Sequence, residues 1–346
     1  MIGDASVETD LVVRPYREDD EEEVLALLRL CLGGGPAGER SPEFFRWKHE
    51  ANPFGRSFML VAEDAGRIVG LRAFLRWRFR VGDRTIDAVR PVDTATHPDH
   101  RGRGVFSTLT RAALDAVRAD TDLVFNTPNP DSLRGYLKMG WQVVGEVPIR
   151  VWVRRPARFV AARLRRSRSA DRARSDRPAV SAPFAAEVLE DEGLVAALID
   201  GSEVPGWGYS TERSVAYLRW RYGDAPLLGY HAAVEERDGT LAGVAFFRPR
   251  LEGQLWGFSV SEMLVAPGDV GTAKRLLARV RRAGDVAYDA TSFPDGTAAA
   301  AASRGPRSLR SPRNPTLVVN PLRPNLAPDP HELSSWALSA CDVEVF

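Results

Sequence analysis

The run Val92-Asp93-Thr94-Ala95-Thr96-His97-Pro98-Asp99-His100-Arg101-Gly102-Arg103-Gly104-Val105-Phe106-Ser107-Thr108-Leu109 decides the fold of this chain. The apolar, β-branched stretch from Thr85 to Thr96 reads as a strand, Pro98 ends it, and the apolar repeat from Val105 to Val117 reads as a helix. Between them lies only Arg101-Gly102-Arg103-Gly104. A helix that opens directly after a glycine turn leaves its first N–H groups unpaired and aims the positive end of its dipole at the same point. Such a junction holds anions, and glycine lets a phosphate approach because no Cβ stands in the way. Spacing narrows the ligand: the dinucleotide pattern G-x-G-x-x-G would need glycine where Ser107 stands, and no Gly-Lys-Ser/Thr follows for a P-loop. An arginine-rich surface turn, or an RNA contact, competes with the cofactor reading for this loop taken alone.

A second motif follows the short strand Leu123-Val124-Phe125: Asn126-Thr-Pro-Asn129-Pro-Asp-Ser132-Leu-Arg-Gly-Tyr136-Leu-Lys-Met-Gly140-Trp141. Asn129, Ser132 and Tyr136 fall at i, i+3 and i+7, one face of a helix, and Gly140 suits its C-terminal stop. Together the two motifs resemble the GNAT superfamily of acyl-CoA-dependent N-acyltransferases. The loop matches the pattern Arg-x-x-Gly-x-(small) after a Pro, and the second run is similar to Asn-x-x-Ala-x-x-x-Tyr-x-x-x-Gly-Phe, with Ser132 and Trp141 as replacements. Phe106 departs from the family, which has Gly or Ala there.

The resemblance implies an α/β (α+β) fold with a mixed, mostly antiparallel central sheet flanked by helices. It further implies acetyl-CoA as co-substrate, no metal, and a primary amine of a small molecule as acceptor. By the same resemblance the main chain of Arg101, Gly102, Arg103, Gly104, Val105 and Phe106 holds the pyrophosphate. Thr94, Ala95 and Thr96 offer backbone to pantetheine, Asn129 and Ser132 belong to the cofactor site, and Tyr136 protonates the leaving thiolate. Acyl transfer to an amine also needs a base, or a proton path to solvent. Asp93 lies beside the expected acyl position, His97 and His100 sit on the loop, and a chain-terminal carboxylate serves in some tandem relatives. The tail Trp336 to Phe346 would supply that carboxylate if it folds back.

The length, 346 residues, suggests two domains, and 44% hydrophobic residues suffice for packed cores. A net charge of +1 gives no global attraction to nucleic acid or membrane. Cys31 and Cys341 form no metal or disulfide framework, and Cys31 falls in the apolar repeat of a helix. The first ten residues lack the features of a secretion signal, and no apolar run reaches membrane-spanning length, so a cytoplasmic protein is expected.

The chain also repeats itself. Phe45-Arg46-Trp47-Lys48, Pro53, Gly66 and Gly70 correspond at one constant offset to Leu218-Arg219-Trp220-Arg221, Pro226, Gly239 and Gly243. Each copy reads as a helix, a Pro-marked turn and a hairpin at Ala65-Gly66 or Asp238-Gly239. Two related domains in tandem are therefore expected: a catalytic one over 1–153, an Arg/Ser-rich linker over 154–182, a degenerate copy over 183–322, and a tail over 323–346. The second copy has Ala266-Pro-Gly-Asp269-Val-Gly where the first has its arginine-glycine loop, and an acid there opposes pyrophosphate. The acceptor pocket is expected from residues 30–57 and the facing surface of the second domain. Phe44, Phe45, Trp47, Lys48 and His49 are candidate lining, although Phe45 and Trp47 also read as core because Leu218 and Trp220 recur in the other copy. Rival readings are an acyl-CoA sensor or scaffold without turnover, and transferases whose donor is a longer acyl-CoA or an aminoacyl-tRNA. Only the arginine-rich linker speaks for RNA, and the phosphate loop speaks against it.

Overall fold

The computed structural model describes residues 11–33, 40–158 and 177–344. The expected basic helix of the linker, around Phe159 to Leu164, lies outside the described residues.

In the first half, strand β1 (Val12–Pro15) leads through a 3-10 turn into helix α1 (Glu21–Leu32), followed by helix α2 (Pro42–His49). Ser41 starts α2 by accepting the Phe44 N–H, with Pro42 at the first helical position. Three long antiparallel strands follow: β2 (Phe58–Asp64), β3 (Arg67–Val81) and β4 (Arg84–Thr96). Ala65 and Gly66 both take positive φ at the β2–β3 turn, as a two-residue hairpin requires. Next come helix α3 (Val105–Val117), strand β5 (Leu123–Asn126), helix α4 (Pro130–Lys138) and strand β6 (Gln142–Glu146). Val105, Leu109, Ala113 and Val117 bury one face of α3 on the sheet, at helical spacing.

Strand β7 (Arg150–Val153) is where the sequence division and the sheets part company. It leaves the first sheet and pairs with β12 (Tyr288–Thr291) and β13 (Ser308–Arg310) of the second half. In return β14 (Thr316–Pro321) inserts between β5 and β6. The first sheet therefore runs β1-β2-β3-β4-β5-β14-β6, with β8 (Ser210–Thr211) added beside β3. The second runs β13-β7-β12-β11-β10-β9, built on β9 (His231–Arg237), β10 (Thr240–Glu252) and β11 (Leu255–Val265). Both sheets are mixed, mostly antiparallel and flanked by helices, as the resemblance implies. The boundaries drawn at 153 and 322 cut along the chain, whereas the first sheet holds β14 and β8 of the second half and the second sheet holds β7 of the first.

The two halves meet at their repeats. Trp47 and Trp220 stack with ring centroids 5.2 Å apart, among Trp77, Phe54 and Tyr217. The largest apolar cluster runs across this junction and takes residues from both halves. Phe44, Phe45, Trp47, Lys48 and His49 are all buried here. The aromatic residues are core, and Trp47 and Lys48 also line a small cavity with Arg90, Trp220 and Glu344. Cys31 is half-buried, with its thiol directed to the Thr96 carbonyl.

Candidate acyl-transfer site

β4 and β5 are parallel neighbours for only two register positions, Ala88↔Leu123 and Val89↔Val124. Past that point β5 turns to β14, with Asn126 opposite Val318, while β4 stays with β3. The two strands splay, and β4 from Arg90 on faces the gap with no strand among the described residues paired to that edge. Thr94, Ala95 and Thr96 lie on this free edge. Unpaired strand edges bind extended chains through their main-chain groups.

The splay opens toward α3. Gly104 is the N-cap residue of α3 at φ 80°, and no side chain caps the helix. Gly102 also takes positive φ, 78°, and Arg101 to Gly104 are all exposed. The first N–H groups of α3 therefore await an external acceptor. The corresponding helix of the second half, Val270–Arg282, is closed: Asp269 accepts the Thr272 N–H at 2.9 Å and its hydroxyl at 2.6 Å. There the protein's own carboxylate already occupies the anion position.

Asn129 caps α4, accepting the Ser132 N–H at 2.9 Å and the Ser132 hydroxyl at 2.8 Å. That fixes the helix whose next turn but one carries Tyr136. Tyr136 is buried, and its hydroxyl accepts a hydrogen bond from Arg72 Nη1 at 2.7 Å. Arg72, on β3, is fully buried and also donates to Thr94 Oγ1 at 2.7 Å and to Thr110 Oγ1. No acidic side chain pairs with it among the described residues, and its Nε has no partner among them. Phe106 lies with its ring centroid 4.8 Å from the Arg72 guanidinium and meets the Tyr136 ring edge-on at 5.5 Å. A Cβ on Gly135 would come within 2.7 Å of the Phe106 ring, so glycine at 135 makes room for the aromatic that departs from the family pattern.

Asp93 occupies a strained point. It sits in the β4 bulge opposite Arg72 at φ 43°, a region few non-glycine residues enter. Its carboxylate accepts from Arg40 Nη1 at 2.8 Å and Lys48 Nζ at 2.7 Å, and meets His49 Nε2 at 3.0 Å. Burial alone would raise its pKa, but Lys48, His49 and Arg40 outweigh that and hold it well below the usual carboxylate range. Asp93 is thus the counter-ion of a buried cationic cluster, and three partners at its oxygens speak against the expectation that it is the base. The second half repeats the arrangement: Arg213, in register with Arg40, pairs with buried Glu262 on β11 at 3.1 Å.

The loop histidines are scaffolding. His100 Nε2 bonds Asp64 at 2.8 Å and His97 accepts the Asp99 N–H, both at the outer end of β4. The tail folds back as far as Glu344. Buried Arg90 on β4 donates to the Asp342 and Val343 carbonyls and to Thr127 Oγ1, just past the end of β5. Glu344 binds Arg248 at 3.2 Å, Ser259 at 2.8 Å, Ser261 at 3.1 Å and Tyr230 at 3.2 Å, so it is anchored to β10 and β11 of the second half. The last two residues lie outside the described residues. Sequence reading did not single out Arg72, Arg40 or Arg90 for the site. The signal for Arg72 was present, an arginine between Leu71 and Ala73 in the apolar stretch Ile68 to Leu75.

Residues 12–144 match the sequence profile of the acetyltransferase (GNAT) domain. Among solved structures, the chain is similar to a GCN5-related N-acetyltransferase from Anabaena variabilis (TM-score 0.62, 10% identity, covering 90% of this chain and 73% of that one). It is also similar to one from Kribbella flavida (TM-score 0.57, 16% identity, covering 90% and 71%). A third is Eis1 from Mycobacterium abscessus (TM-score 0.55, 17% identity, covering 90% and 73%). At these identities the likeness is one of fold. No curated protein sequence matches the chain.

Proposed function

We propose that the chain, whose residues 12–144 match the acetyltransferase (GNAT) domain, transfers an acetyl group from acetyl-CoA to the primary amine of a small molecule, by direct attack in a ternary complex. The observation that carries the reading is the free edge of β4 opening onto an uncapped α3 at Gly104, while the equivalent helix of the second half is capped by Asp269. Bound acetyl-CoA would place its diphosphate on the amides of Arg101 to Phe106 and its pantetheine along Thr94 to Thr96. It would supply the activated carbonyl; the protein supplies position, hydrogen-bond donors for the oxyanion and a proton for the leaving sulfur. Tyr136 is that proton donor. Its amine partner must arrive unprotonated or lose its proton to solvent, because Asp93 is committed to Arg40 and Lys48.

The test combines calorimetric titration of acetyl-CoA with thiol release on incubation with a panel of amines. Saturable binding with amine-dependent thiol release supports the proposal, and no saturable binding of any CoA derivative overturns it. Tyr136→Phe should lower turnover roughly 100-fold or more, the range for loss of a general acid, with little change in acetyl-CoA affinity. A second reading, an acyl-CoA sensor without turnover, is favoured by Phe106, whose ring packs against Gly135 between α3 and α4. Binding without thiol release across the panel would select it.

A further inference from the structure

Tyr136 has a donor to its oxygen, Arg72, but no acceptor for its proton among the described residues. A guanidinium has five donors and no acceptor, so the phenol cannot return its proton to Arg72. With that side of the oxygen occupied, the O–H must point elsewhere. Arg72 is a buried cation whose three side-chain partners, Tyr136, Thr94 and Thr110, are all neutral. Buried arginines ordinarily have a carboxylate, as Arg213 has Glu262 and Arg248 has Glu344 in this same molecule. Buried Arg90 also lacks a carboxylate, but its partners are the Asp342 and Val343 carbonyls and the Thr127 hydroxyl, whereas Arg72 faces the one ionisable hydroxyl of the site, that of Tyr136.

We infer that Arg72 is the positioning residue of the acyl-transfer step: it orients the Tyr136 hydroxyl as a donor and receives the phenolate as its counter-ion when the proton leaves. The inference rests on the acetyl-transfer reading above. In the step, the amine nitrogen lone pair forms the N–C bond and the carbon–sulfur bond breaks with its electron pair passing to sulfur. The Tyr136 proton goes to that sulfur, the amine proton goes to solvent, and the phenolate later regains a proton from solvent. As the thiol forms, the contact between the Arg72 cation and the neutral Tyr136 phenol becomes an ion pair in a water-poor site, where charge-assisted hydrogen bonds are strong. Thr94 and Thr110, with the Phe106 face 4.8 Å away, fix the guanidinium in the plane that reaches Tyr136. Phe106 thereby acquires a role, as the face on which this cation rests.

The experiment compares the parent protein with R72K, R72M, Y136F and R72M/Y136F, measuring acetyl-CoA dissociation constants by calorimetry and turnover by thiol release. R72M should reduce kcat roughly 10- to 100-fold, by analogy with loss of one charge-stabilising donor, and leave the acetyl-CoA dissociation constant within about twofold. R72K keeps a buried cation, guards against simple unfolding of R72M, and should recover part of kcat. The double variant should be no slower than Y136F, because Arg72 acts only through that hydroxyl. If R72M slows Y136F by the same factor as it slows the parent, or acts on acetyl-CoA affinity rather than kcat, the inference fails while the acetyltransferase reading stands. If the parent binds acetyl-CoA but releases no thiol with any amine, the acetyltransferase reading fails and takes this inference with it.

Discussion

Trp47 and Trp220 each donate an indole N–H to the other's backbone carbonyl, at 2.7 Å and 2.8 Å, across a separation of 173 residues. That separation is the offset of the sequence repeat, so the two-fold relation between the copies passes through this pair. A reciprocal pair of buried bonds around stacked rings is self-complementary in the way of a symmetric dimer interface, here within one chain. Trp47→Phe removes one N–H and leaves the Trp220 carbonyl without that donor, for a loss of about 1–3 kcal/mol. Trp47→Ala adds a cavity and should cost about 3–5 kcal/mol. Denaturant melts followed by a probe in each half should show both halves losing stability together; destabilisation confined to the first half would contradict the shared core.

The exchanged strands make the halves interdependent. Without β14, the first sheet has a gap between β5 and β6, and without β7 the second loses the strand joining β12 to β13. A fragment of residues 1–158 should be insoluble or non-native alone, because unpaired edges and an uncovered core remain. Coexpression with 159–346 should yield a one-to-one complex by size-exclusion chromatography, with circular dichroism like that of the parent. A stable, monomeric, native-like 1–158 would show that the exchange is dispensable.

At the phosphate loop, Gly104→Asp should set a carboxylate at the start of α3, at some backbone strain because Gly104 takes φ 80° where the capping Asp269 of the second half takes −77°. A carboxylate at this point repels the diphosphate. Acetyl-CoA affinity should fall roughly tenfold or more, as expected for like charges a few ångströms apart near a protein surface. Calorimetry measures the affinity and the melting temperature checks the fold; unchanged affinity would place the diphosphate elsewhere.

Stability should fall with acid through two buried carboxylates. Burial pushes Glu344 up, but Arg248, Arg221 and the Ser259 hydroxyl outweigh it and hold its pKa at about 2 against an ordinary 4.5. A depressed folded-state pKa contributes stability that is full above about pH 4.5 and disappears as pH falls toward 2. For Glu344 the contribution is on the order of 3 kcal/mol, and Asp93, held low by Lys48, His49 and Arg40, acts in the same direction. Urea midpoints measured from pH 6 down to 2.5 should decline, and Glu344→Gln should flatten part of the decline. Asp93→Asn should be costlier at neutral pH, about 3–5 kcal/mol, because it leaves Arg40 and Lys48 buried without their counter-ion.

What the sequence determined by itself is local. Alternation and turn residues set β2 to β4, the repeat from Val105 to Val117 set α3, Ser41 and Asn129 set the caps, and Gly102 and Gly104 set the loop, because each depends on neighbours a few residues away. The common register of the repeats was legible for the same reason. Which sheet receives β7 and β14 was decided only by tertiary structure, since a strand's own alternation does not say which partner will complete it. So were the two fates of buried charge. Asp93 and Arg72 look alike in the sequence, each an ionisable residue between apolar or small neighbours in a long strand. Only the folded chain brings Arg40, Lys48 and His49 to the first and leaves the second with neutral partners beside Tyr136. An ionisable group's role depends on which charges reach it through space in a low-dielectric interior, and those contacts span tens of residues along the chain.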